Sequence, residues 1–249
     1  MAAVDRKVGA TLNPRSQEDT LSTLFGVIAK GDRPTASRLL AEYPLLARQA
    51  IKVGATRNGG GGFFIEAIAH HVYGGDTPLH VAAAAYQREV AQDLVSRGAD
   101  VSARNRRGAE PLHYASDGSL GSDTWDPAAQ HAIIELLIKA GADPNSADKS
   151  GVAPLHRAVR TRCTGAVRAL LLNGADARKR NKNGSTPLHL AVQNTGRGGS
   201  GSPASREQQA AIIRLLLEHG ARPSDRDAAG KSVRACVTTD WIHSLLGKA

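Results

Sequence analysis

The chain is poor in aromatic side chains, with three Phe, four Tyr and two Trp among 249 residues. An interior built on large rings is excluded, so the core has to come from Leu, Ile, Val and Ala, a composition suited to thin, closely packed helices. Cys163 and Cys236 are the two cysteines, too few for a disulfide framework and without metal-ligand spacing. No apolar run approaches the roughly 18 residues that a membrane span requires. The stretch Met1 to Lys7 lacks the apolar segment of a secretory signal. These absences lead us to expect a soluble, cytoplasmic protein with reduced thiols and no membrane association. Also missing are an ordered Ser/His/Asp set, paired carboxylates, a Gly-Lys-Ser/Thr phosphate loop and a G-x-G-x-x-G following a strand. No residue is assigned as catalytic, and no cofactor or metal is called for.

Positive charge is not scarce. The formal net charge is +9, and arginine supplies 23 of the 32 basic residues. Arginine forks suit carboxylates and phosphates, although a codon bias toward Arg and Ala accounts for the excess equally well. Either way, a positive field steers acidic partners toward the protein.

The tripeptide Pro-Leu-His occurs four times, starting at Pro78, Pro111, Pro154 and Pro187. The intervals are 33, 43 and 33 residues, and self-similarity at such a period signifies stacked repeats. In each copy an alanine follows the histidine by two positions (Ala82, Ala115, Ala158, Ala191). Thr77 and Thr186 precede their prolines as hydroxyl N-caps, with proline at the first helical position. Ala153 stands where threonine would be, which predicts a loss of about 1 kcal/mol for the missing cap. A second helix follows, with apolar pairs such as Ile133-Ile134 and Leu136-Leu137, and stops at Gly98, Gly141, Gly174 or Gly220. A polar finger then leads into the next unit.

On these residues the chain resembles the ankyrin-repeat family over about residues 76–230. The resemblance implies an all-α dominated repeat solenoid: helix-turn-helix units carrying β-hairpin fingers, with divergent caps at both ends. It also implies that the four recurrent histidines bond neighbouring backbone at the base of each finger. The organisation read from the sequence is a disordered stretch 1–17, capping helices over 18–75, repeats at 76–108, 109–151, 152–184 and 185–230, and a terminal cap at 231–249. Within 18–75 we expect helices from Asp19 to Lys30, from Pro34 to Glu42 and from Phe63 to His71.

Two repeats are longer than the others. The first apolar residue of the second helix lies 12 positions after the proline in repeats one and three, but 22 after it in repeat two and 25 in repeat four. The additions therefore fall between first and second helix, as Gly/Ser-rich loops over about 117–129 and 194–205. They stand two repeats apart, roughly 20 Å at the usual spacing of packed helices. We expect a binding rim there made of Trp125, Asp126, Arg160, Arg162, Cys163, Asn194, Thr195, Arg197 and Ser200. A second candidate surface is basic and lies on the fingers: Arg104, Arg106, Arg107, Arg178, Lys179, Arg180 and Lys182.

The function expected is non-enzymatic protein binding, with an acidic partner held through first helices, fingers and rim. The alternative is a small anionic ligand, or an enzymatic site, built from the two loops around Arg160 and Arg162. No aromatic residues interleave the finger charges, so the stacking platforms of a nucleic-acid interface are missing.

Overall fold

A computed structural model describes residues 14–56, 59, 61–118, 125–193 and 202–247. Four helix pairs form the array. Their first helices are α3 (Pro78–Ala84), α5 (Pro111–Ser116), α7 (Pro154–Arg160) and α9 (Pro187–Ala191). Their second helices are α4 (Arg88–Ser96), α6 (Pro127–Lys139), α8 (Thr164–Leu172) and α10 (Pro203–Glu218). First helices stack on first helices and second on second, so each pair packs mainly on its neighbours. The cap before them is α1 (Pro14–Ala29) and α2 (Arg33–Glu42); after them come α11 (Val233–Cys236) and α12 (Asp240–Leu245).

Repetition in sequence becomes repetition in the core. Leu79, Leu112, Leu155 and Leu188 are buried, as are Leu94, Leu137, Leu170 and Leu216 on the second helices. Each such side chain contributes about 1.5–3 kcal/mol through burial. The alanines at 82, 115, 158 and 191 are also fully buried; their size lets adjacent first helices approach closely.

The helix starts differ from the hydroxyl capping expected. At each Pro-Leu-His, the imidazole Nδ1 accepts the backbone N–H three residues earlier: Thr77 on His80 at 3.1 Å, Glu110 on His113 at 3.1 Å, Ala153 on His156 at 3.2 Å and Thr186 on His189 at 3.1 Å. The hydroxyls of Thr77 and Thr186 contact the same nitrogen, at 3.0 and 2.9 Å. Because Nδ1 accepts, Nε2 carries the proton and donates across to the next unit, to the carbonyls of Ala109, Val152, Ser185 and Lys231. Ala153 thus keeps its cap through His156, and the expected loss there shrinks to that of one hydroxyl contact.

Two further expectations are corrected. The segment from Phe63 to His71 is not a helix. It is a pair of two-residue strands, β1 (Phe64–Ile65) and β2 (His70–His71), antiparallel with Ile65 opposite His70. Short 3₁₀ turns flank and join the strands, and Ala69 turns the chain back with φ 47°. The consecutive Phe63, Phe64 and Ile65 favour extended backbone, and the preceding glycines supply no helical nucleus. The first helix starts at Pro14, inside the stretch read as disordered, because proline suits the first helical turn; residues 1–13 lie outside the described ones.

The insertions are partly helical. α6 has 13 residues and α10 has 16, against 9 in each of α4 and α8. Pro127 and Pro203, read as loop, begin these longer helices after the caps Asp126 and Ser202.

In the uninterrupted repeats a tight turn closes the first helix. Tyr86 and Arg162 adopt φ 55° and 59°, and the N–H groups of Gln87 and Cys163 return to the carbonyls of Ala82 and Ala158, both at 2.9 Å. In the interrupted repeats the backbone leaves, and a glutamine at the same place on the second helix substitutes for it. Gln130 Nε2 donates to Ala115 at 3.0 Å, and Gln209 Nε2 to Ala191 at 2.7 Å.

Candidate functional site

Each finger is a tight hairpin organised by one Asn or Asp. The side-chain oxygens of Asn105, Asp148, Asn181 and Asp227 each accept the N–H groups two and four residues on. The residue after each Asn or Asp then bonds the preceding finger. The N–H of Arg106 donates to Gly74, that of Lys149 to Arg107, that of Lys182 to Ser150 and that of Ala228 to Asn183, at 2.7–3.1 Å. Consecutive tips are thereby held in line. Three of them present exposed cations in a row, Arg106 with Arg107, then Lys149, then Lys182. The Asp148 carboxylate beside Lys149 is taken up by its own turn and by Arg157.

The other basic finger residues have internal partners. Arg104 bonds Glu110 Oε1 at 2.9 Å and Ser146 at 2.8 Å. Arg178 grips the buried Asp225 with both arms of its fork, at 2.6 and 2.9 Å; the guanidinium holds that carboxyl below the usual carboxylate range. Arg180 reaches the carbonyls of Gly184 and Arg226. Lys179 is half-buried beneath the tip. Arg104, Arg178 and Arg180 thus serve the array itself, whereas Arg106, Lys149 and Lys182 stand exposed at the tips.

The rim is assembled differently from expectation. Trp125 lines a groove of about 650 Å³ with Ala67, Ile68, Ala85 and Tyr86, and its indole N–H is bound to Gln130 Oε1 at 3.0 Å. Asp126 caps α6 through the N–H groups of Ala128 and Ala129. Cys163 is fully buried beneath Gly118 and Gln130, and burial raises its thiol pKa, so it offers a partner neither access nor a thiolate. Arg162 turns to the carbonyl of Gln193 at 3.1 Å, whereas Arg160 points to Asp117 at 3.4 Å. The two arginines do not converge on one anion. Asn194, Thr195, Arg197 and Ser200 lie outside the described residues.

Sequence reading missed a cavity of about 230 Å³ between the fingers and the first helices, lined by residues that include His70, Tyr73, Arg107, Tyr114, Arg157 and Arg160. Arg157 is its buried floor. It bonds Asp117 Oδ2 at 2.7 Å and approaches Asp148 Oδ2 at 3.5 Å. Burial opposes its charge, and the two carboxylates more than restore it. Tyr114 donates to the buried Asp76 at 2.8 Å, Asn105 donates to both, and the His70 ring lies 4.3 Å from that of Tyr114. Burial lowers the pKa of His70. Arg107 donates to the Tyr73 hydroxyl at 3.0 Å and covers its ring at 5.0 Å. A register comparison would have found this place. Three residues after the proline, repeats one and four have Val81 and Leu190, but repeats two and three have Tyr114 and Arg157.

No helix among the described residues is long and apolar enough to cross a membrane. A family model described as ankyrin repeats (3 copies) matches residues 127–227, and one described as ankyrin repeat matches residues 74–106. Comparison with curated proteins gave no match.

Proposed function

Because the chain belongs to the ankyrin-repeat family, whose repeats are in general modules of protein–protein interaction, we propose that it is a binding scaffold for an acidic polypeptide laid across its finger tips. The observation that carries this reading is the row of Arg106, Arg107, Lys149 and Lys182 on three consecutive tips, each tip bonded to the one before. Tips roughly 10 Å apart, the spacing of the helices beneath them, match every third residue of an extended chain. Such a row raises the rate of encounter with an acidic partner and weakens as salt rises.

The test is capture of partners from native lysate by the intact protein and by Arg106→Glu/Lys149→Glu/Lys182→Glu. The reversal should abolish capture of partners that 0.5 M salt also releases. Unchanged capture by the reversed protein would refute the finger-tip surface. Arg104 and Arg178 are poor choices for such a reversal, since each holds a buried carboxylate.

A further inference from the structure

We propose that the cavity floored by Arg157 is a subsite for one carboxylate side chain of the bound polypeptide, seated between the guanidinium groups of Arg107 and Arg160. The inference rests on the scaffold reading for its source of ligand, and on the cavity alone for its chemistry.

Size is the first argument. At about 230 Å³ the cavity falls below the range of roughly 300–1,000 Å³ that holds whole small-molecule ligands. It suits a single side chain entering from a chain on the tips above. Arg107 contributes to the tip row and to the cavity wall alike, so the two are continuous.

Charge is the second. The wall holds three guanidinium groups, those of Arg107, Arg157 and Arg160, and two carboxylates, those of Asp117 and Asp148. Both carboxylates are occupied. Asp148 Oδ1 accepts the Ser150 and Val152 N–H groups, at 2.7 and 3.0 Å, while its Oδ2 faces Arg157. Asp117 Oδ2 is the short partner of Arg157, leaving Oδ1 with Arg160 at 3.4 Å. Arg107 has no carboxylate partner among the described residues. Counted over its lining groups the wall carries one positive charge in excess, which a guest of charge −1 neutralises; the buried Asp76 carboxylate behind Tyr114 is already held by the Tyr114 hydroxyl and the Asn105 amide. A phosphate dianion overshoots it and meets the two aspartates.

Hydrogen bonding is the third. Arg107 uses one fork nitrogen on Tyr73, and that phenol accepts the bond, so its own proton remains to donate. The Arg160 side chain is 62% exposed, which leaves its fork room to turn inward. A carboxylate here gains two guanidinium donors and a phenol, the charge-assisted bonds that a neutral amide receives at much lower strength.

The experiment is an NMR titration of the full ¹⁵N-labelled chain, reading the Nε–H signals of Arg107 and Arg160 with exposed Arg168 on α8 as internal control. The probes are N-acetylglutamate N-methylamide, its glutamine counterpart and its phosphoserine counterpart. The glutamate probe should shift Arg107 and Arg160 and spare Arg168, and should bind at least tenfold more tightly than the glutamine probe. Arg107→Gln and Arg160→Gln should each weaken it roughly tenfold. Arg107→Lys, which keeps the charge and loses the fork, should fall between. Equal response to glutamate and glutamine, preference for phosphoserine, no shift at either arginine, or an equal shift at Arg168 would each overturn the subsite. The two readings fail separately. Carboxylate selectivity without partner capture sinks the scaffold and leaves the cavity, whereas captured partners indifferent to Arg107→Gln and Arg160→Gln sink the cavity and leave the scaffold.

Discussion

Gln209 stands in repeat four where Gln130 stands in repeat two, yet their side-chain oxygens differ: that of Gln130 accepts the Trp125 indole N–H at 3.0 Å, and that of Gln209 is buried without a hydrogen-bond partner among the described residues. The amide nitrogens behave alike, each closing a first helix that the backbone has abandoned. One residue type has been placed twice to do the work that a tight turn does in the other repeats.

Replacing either glutamine by alanine should therefore strip the amide donor from one buried carbonyl, that of Ala115 or of Ala191, whereas the carbonyls of Asp117 and Gln193 keep the Tyr86 hydroxyl and the Arg162 guanidinium as donors. We expect a loss of about 1–3 kcal/mol in each case, the cost of one unsatisfied buried group. Gln87→Ala is the control, because there the backbone N–H makes the equivalent bond, and it should cost under about 0.5 kcal/mol. Urea unfolding midpoints of the three variants decide the matter; equal losses would contradict this account of the insertions.

Gly118 has no room for a side chain, since a methyl group there would overlap the Cys163 sulfur. Gly118→Ala should cost about 1–3 kcal/mol through overpacking. Cys163→Ala frees that space, so the double variant should recover much of the loss, with a coupling above 0.5 kcal/mol in a double-mutant cycle. Strict additivity would mean that the insertion does not start against Cys163.

Burial holds the pKa values of three of the recurrent histidines, His80, His113 and His156, down, that of His113 to about 4. The unfolded chain takes up protons on these rings below about pH 6.5, while the folded chain takes them up only at lower pH. Stability is therefore intact above that value and is lost as pH falls toward 4, by about 3 kcal/mol for His113 alone. Unfolding free energies measured between pH 7 and 5 should decline steadily, and ¹⁵N spectra should show Nε2–H rings throughout. A His113 ring titrating near pH 6.5 would reject the assignment.

Finger cations should separate into two classes. Arg178→Gln leaves Asp225 buried without its fork and should cost about 1–3 kcal/mol. Lys182→Gln, at an exposed tip, should leave stability within about 0.5 kcal/mol and affect only binding. Thermal unfolding of the two variants, beside their partner capture, tests the division.

The stacked helices were legible because Pro-Leu-His marks each one and because Leu and Ala recur in register. The strand pair at 64–71 was not, since a short apolar run reads equally as helix or strand, and no turn residue distinguishes Ala69, whose left-handed backbone makes the reversal. The cavity was hidden for another reason. Its residues come from the N-terminal segment (His70, Tyr73), a finger (Arg107), the start of an insertion (Asp117) and a first helix (Arg157, Arg160), and only stacking brings them together. Arg178 misled because its partner Asp225 lies 47 residues away, a separation at which charge pairing leaves no local pattern.

The bridging histidines give the array a direction. Every ring donates toward the C-terminus, from His80 to Ala109 and finally from His189 to Lys231. The carbonyl that opens the series, on Asp76, is served instead by the backbone N–H of Ile51. The two ends are thus chemically unequal. Trimming away Lys231 leaves an imidazole donor without its acceptor, whereas trimming away Ile51 leaves a carbonyl without its donor. A unit placed after repeat four has to offer a carbonyl to the His189 ring, and one placed before repeat one has to offer a donor to the Asp76 carbonyl.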